Sequence, residues 1–155
     1  FDAVREIIND MRSRAAAYGR TLRFGYRVHV IVRESESEAR DYAQYLVAEL
    51  DDEVGRAIRQ KSLDVTSVGV ARQGELRDSS DDDGYVESNL WTGIGRARSG
   101  CGAAIVGNPE QVIEKLRAYQ SLGIEAFILS GYPHLDECRY FGELVLPHLE
   151  HAPLH

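Results

Sequence analysis

The 155 residues are 43% hydrophobic and 28% charged, enough of each for one domain with a core and a solvated surface. A formal net charge of -7 argues against nucleic acid or an anionic membrane as partner, because displacing the counterions around phosphate requires an excess of Lys and Arg. No apolar run reaches the roughly 18 residues that span a bilayer, no basic-then-apolar leader opens the chain, and Cys101 and Cys138 form no CxxC pair, so we expect a cytoplasmic protein with free thiols, no disulfide framework and no metal site.

Asp2 leads directly into an apolar pattern, Val4, Ile7, Ile8, Met11, Ala15 and Tyr18, with the helical period and Gly19 as its stop. A helix is predicted over about 2–18, and a chain that opens on Phe1 in this way reads as a piece of a longer protein. Residues 22–32 are rich in β-branched and aromatic side chains and predict a strand. Ser35-Glu36-Ser37-Glu38 has the form of a capping box before a helix that turns Ala39, Tyr42, Ala43, Leu46, Val47 and Leu50 inward. Helical character continues to about Ile58. Between Lys61 and Asn89 periodicity fades, and residues 62–88 are read as an inserted mobile loop, a functional lid in preference to plain connection. Its acidic run, Asp78 to Gly84, reads as a solvated loop tip because calcium-loop spacing is missing.

Residues 103–107 then predict a short buried strand. Asn108-Pro109-Glu110 supplies an N-cap, a first-turn proline and a first-turn acid for a helix carrying Val112, Ile113, Leu116 and Tyr119 inward and ending at Gly123. Residues 126–130 form the next predicted strand, and a last helix is expected to bury Leu135, Cys138, Phe141, Leu144 and Val145. The repeated strand-helix unit calls for a parallel sheet in an α/β fold. Pattern alone leaves two architectures: a small open sheet, or the last part of an eight-stranded barrel.

Three groups of residues could carry chemistry. Arg27 and His29 share one face of the first strand, and a buried parallel sheet tolerates them only against an anion, a dipole, water or a structural carboxylate. Gly93 to Gly102 combines four glycines with Arg96 and Arg98; it fits neither GxGxxG nor a Walker loop and no clear strand precedes it, which leaves a flexible surface loop or an anion clamp. Ser130-Gly131-Tyr132-Pro133-His134 follows a strand at the edge where α/β folds gather active sites. There Tyr132 is either a hydrogen-bond donor or a packed turn residue.

Taken together and in order, Thr21 to Glu34, Asn89-Leu90-Trp91-Thr92-Gly93-Ile94-Gly95, and Ile124 to Leu135 resemble the alkanesulfonate monooxygenases of the bacterial-luciferase superfamily, over nearly the whole chain from Val4 to Leu149. The resemblance implies that residues 1–155 are the C-terminal portion of a single luciferase-like TIM (β/α)8 barrel with the inserted loop. It implies a two-component flavin enzyme: FMN enters reduced from a separate NAD(P)H-dependent FMN reductase, and with oxygen an alkanesulfonate yields aldehyde and sulfite. Arg27, His29, Arg98 and Tyr132 are then the expected catalytic residues: Arg27 near the sulfonate or the flavin oxygen, His29 as acid/base, Arg98 in a loop closing over substrate, and Tyr132 at the reacting centre. A guanidinium suits a permanently anionic sulfonate. Most flavin contacts are expected upstream of Phe1, so this portion alone is expected to be inactive, and a homo-oligomer is implied. Alternatives are another luciferase-like flavin or F420 oxidoreductase, or a non-catalytic flavin-binding half-barrel.

Overall fold

The computed structural model describes residues 1–60, 68–96 and 102–152. The chain order is α1 (Asp2–Ala16), β1 (Phe24–Val32), α2 (Glu36–Val47), α3 (Asp52–Gln60), α4 (Val68–Asp78), β2 (Tyr85–Glu87), β3 (Leu90–Trp91), β4 (Ala104–Gly107), α5 (Pro109–Ser121), β5 (Ile124–Ser130) and α6 (His134–Leu144). Local chemistry sets the boundaries. In α2 the Glu38 N–H donates to Ser35 Oγ and the Ser35 N–H donates to Glu38 Oε2, and Asn108 and Gln111 make the same reciprocal box ahead of α5. Gly19 and Gly123 follow their helices at φ 64° and 99°, the left-handed conformation that glycine adopts without a Cβ penalty.

The five strands form one mixed sheet in the order β2-β3-β4-β1-β5. β1 pairs in parallel with both β4 and β5, while β3 runs antiparallel to its two neighbours, β4 and β2. From β1 the chain steps one way to β4, then back over β1 to β5. Right-handed crossovers in opposite directions place the connecting helices on opposite faces, and the core divides accordingly. On one face Val28, Val30, Val32 and Ile105 pack with Ile8 of α1, with Val112, Leu116 and Tyr119 of α5, and with Phe141 and Leu144 of α6. On the other, Ile31, Ala104 and Val106 pack with Ala39, Ala43 and Val47 of α2 and with Tyr85 and Trp91 of the hairpin.

Two helices differ from expectation in which residues they bury. In α1 only Ile8 is buried, Ile7 and Met11 being 40% and 43% exposed, and Tyr18, 82% exposed, lies beyond the end of the helix. In α6 Leu135 and Cys138 are exposed and Glu137 is buried. The inward row runs Glu137, Phe141, Leu144, with the helical spacing but a phase set by an ion pair described below. Between 62 and 88, α4 and β2 account for most of the described residues. The acidic run there is tied into a turn, Asp81 Oδ1 accepting from the N–H groups of Asp83 and Tyr85. A strand, β3, does precede the glycine-rich stretch; two residues long, it is too short to register as a pattern.

Candidate active site

β1 carries the site residues because side chains alternate along it. Gly25, Arg27, His29 and Ile31 point to the α2 face, and parallel register sets Arg27 beside Ile128 and His29 beside Ser130 and Ala104. The two expected residues therefore share a face but not an environment. His29, near the carboxyl ends of β1 and β5, is 3% exposed, and its backbone N–H donates to the Ala103 carbonyl at 3.1 Å. Arg27, two residues earlier, is exposed and has no ion-pair partner among the described residues.

Tyr132 is brought to His29 by the turn after β5. The rings stack with centroids 5.3 Å apart and planes inclined at 25°, and the edge of His134 meets Tyr132 at 4.9 Å. Ser130 Oγ, at the register position of His29, is buried without a hydrogen-bond partner among the described residues. Arg98 and Cys101 lie outside the described residues.

Behind Tyr132 stands a cluster that pattern reading missed. Arg33, the residue after β1, reaches Glu137 of α6 through two contacts, Nη2 to Oε1 at 2.6 Å and Nη1 to Oε2 at 3.2 Å, and Nη1 also donates to the Val32 carbonyl at 2.7 Å. Its guanidinium lies between the rings of Tyr42 and Tyr140, 3.9 and 4.3 Å from their centroids. With Arg33 and Glu137 only 11% and 4% exposed at the side chain, the planar fork suits this place better than an ammonium would, offering bidentate bonding and two stacking faces together. Tyr42 Oη donates to the Tyr132 carbonyl at 3.1 Å. Burial, reinforced by the charge of Glu137, holds the Tyr42 hydroxyl above its ordinary range, so it remains a donor. The available signal was parity: Arg33 continues the face of Arg27, His29 and Ile31.

Glycines near the site serve packing. A Cβ on Gly131 would stand 2.5 Å from Glu137 Cγ and 3.0 Å from the Val30 carbonyl, so the turn can lie on the stem of Glu137 only as glycine. Gly93 fits under the indole of Trp91 in the same way. Among the described residues no group of three His, Cys, Asp or Glu side chains could hold a metal ion, and no helix is long and apolar enough to cross a membrane.

The orphaned hydroxyl and the stacked imidazole-phenol pair lie near the carboxyl ends of the parallel strands, with the exposed cation further back on β1; that is the edge where α/β proteins of the barrel and doubly wound kinds bind ligands. The chain belongs to the luciferase-like monooxygenase family, which matches residues 1–126. It is 69% identical over 153 residues to the sulfoquinovose monooxygenase of Novosphingobium aromaticivorans, covering 99% of this chain and 42% of that protein. It is 55% identical to the sulfoquinovose monooxygenase of Agrobacterium fabrum, covering 99% and 40%. The chain thus spans about two fifths of the length of these curated relatives. Among solved structures, the coenzyme F420 dependent tetrahydromethanopterin reductase of Methanopyrus kandleri is similar at a TM-score of 0.50 and 18% identity, over 94% of this chain and 42% of that one. That likeness concerns the fold alone. It agrees with the α/β, luciferase-like class expected from sequence, of which this sheet is a part.

Proposed function

We propose that this chain is the C-terminal part of a flavin-dependent monooxygenase that desulfonates an organosulfonate, with a sulfosugar such as sulfoquinovose favoured over a simple alkanesulfonate. The substrate choice follows the names of the two relatives, both sulfoquinovose monooxygenases. One observation carries the reading of the site: Arg27 projects, without an ion-pair partner among the described residues, from the strand face on which Tyr132 covers His29. A permanent anion is the natural complement of such a guanidinium.

The residues present fit a reduced flavin, taken as FMN delivered by an NAD(P)H-dependent reductase. The orphaned Ser130 hydroxyl and Arg27 offer a donor and a cation to its polar atoms or to the sulfonate. When bound, the flavin supplies two electrons for the reduction of oxygen. The carbon bearing the sulfonate is oxidised to an aldehyde with one oxygen atom, the other leaves as water, and the carbon–sulfur bond breaks with its electron pair departing on sulfite. In this reaction Arg27 binds and orients the anion. His29 moves a proton at the reacting carbon's oxygen, Tyr132 shields that proton transfer from water, and Arg98 belongs to the segment that closes over substrate. A homo-oligomer and a soluble reductase partner complete the proposal.

The test uses the full-length protein with a flavin reductase, FMN, NADH and oxygen. Sulfite release from sulfoquinovose, exceeding that from straight-chain alkanesulfonates, is expected. Arg27→Ala should raise the KM for the sulfonate, and His29→Gln should lower kcat by about 10²–10⁴-fold, the usual contribution of a positioned acid/base. Absence of sulfite from every sulfonate offered to the wild type, or full activity in both variants, overturns the reading.

A further inference from the structure

The polar cluster behind Tyr132 opens to solvent at Tyr140 but not at its ion pair. Glu137 and Arg33 are withdrawn from water, and isolating an ion pair from water costs more than an exposed pair would. Two members of the cluster, Tyr42 and Glu137, meet one turn. Arg33 follows directly from the strand that carries His29. Tyr42 reaches from α2 to the Tyr132 carbonyl at 3.1 Å, and Glu137, in the first turn of α6, supports Gly131 from beneath. The ring of Tyr42 is also one wall of the Arg33 sandwich, so its hydroxyl oxygen cannot be displaced without moving a ring that the guanidinium packs on.

We propose that Tyr42, locked by the Arg33–Glu137 pair, is a positioning residue that holds the 130–134 turn so that the Tyr132 ring stays stacked on His29. The proposal rests on the reading of His29 and Tyr132 as site residues. It adds that their mutual geometry is set from three elements, the end of β1, α2 and α6, through one phenolic hydrogen bond. A rigid stack of this kind keeps the imidazole dry and fixed in direction, which a proton transfer requires.

Two variants of the full-length protein isolate the device. Tyr42→Phe keeps the ring under Arg33 and removes only the hydrogen bond to Tyr132. Arg33→Lys keeps a charge for Glu137 and loses the fork and the flat stacking faces. The first readout is carbethoxylation of His29 by diethyl pyrocarbonate in the resting protein, followed by mass spectrometry, with exposed His148, outside the turn, as internal reference. Both variants should react at His29 about fivefold or more faster, the ratio that corresponds to loss of one net hydrogen bond, while Ile113→Val, a core change remote from the turn, leaves the rate unaltered. The second readout is turnover: a similar fall in kcat with KM for the sulfonate little changed, and a double variant no worse than the more impaired single one, as expected for groups acting as a unit. An unchanged His29 rate in both variants overturns the proposal, as does a rise in Ile113→Val equal to theirs. Since the labelling needs neither flavin nor substrate, faster labelling in a protein that releases no sulfite would uphold the positioning role and reject the proposed reaction instead.

Discussion

Gly93→Ala offers a sharp test of the packing around the hairpin. A methyl group there would fall inside the contact distance of the Trp91 carbons Cζ2 and Cε2, and 2.8 Å from Nε1. The indole would have to retreat by about 1.5 Å to reach ordinary van der Waals separation. It has little room: Trp91 is 1% exposed, its backbone is paired with Tyr85 and Ala104, and Nε1 donates to the Asp83 carbonyl at 3.1 Å. The cost should lie at the upper end for overpacking, about 3 kcal/mol. Trp91→Phe removes the atoms that collide and should itself cost about 1–3 kcal/mol through a lost hydrogen bond and a small void. In that background Gly93→Ala should cost less than about 1 kcal/mol, a coupling of about 2 kcal/mol. Urea unfolding of the full-length protein followed by circular dichroism, which does not depend on the tryptophan being replaced, measures the cycle. Additive costs would refute the claim that Gly93 exists to seat the indole and would return the glycine to a ligand-approach role.

Tyr85 and Ser35 give two further expectations. Burial pushes the Tyr85 hydroxyl up to about 12, and that oxygen is buried without a hydrogen-bond partner among the described residues, so Tyr85→Phe should be neutral or stabilising by about 1 kcal/mol at pH 7. The folded state holds this proton more tightly than the unfolded state does, so the wild-type contribution is complete below about pH 10 and is lost as pH rises toward 12. Melting temperatures at pH 7 and pH 11 should therefore diverge further in favour of the variant, and a gap that narrows at pH 11 contradicts the assignment. Ser35→Ala should destabilise by about 1 kcal/mol through loss of the acceptor for the Glu38 N–H, with Ser35→Asp largely restoring it in the same thermal assay.

Where local chemistry decides, the elements are readable in one dimension. The capping boxes at Ser35 and Asn108, the glycine stops at 19 and 123, and the inward row of α5 each depend on residues within a few positions of one another, so spacing is enough to find them. The alternation that puts Arg27 and His29 on one strand face is of the same kind. Tertiary structure alone settled what long-range pairing controls. The placing of β1 between β4 and β5 follows from crossover direction, which no periodicity records. The burial of Glu137 in place of Leu135 and Cys138 arises because an arginine 104 positions away turns a charged side chain inward, against its hydropathy. Equally, buried His29 and exposed Arg27, identical in strand parity, differ because Tyr132 folds back from a distant turn over only one of them and β4 pairs with β1 only from His29 onward. Sequence could name candidate residues for chemistry, since their type and spacing are local. Which of them meet, and what holds them there, is a property of contacts between segments far apart in the chain.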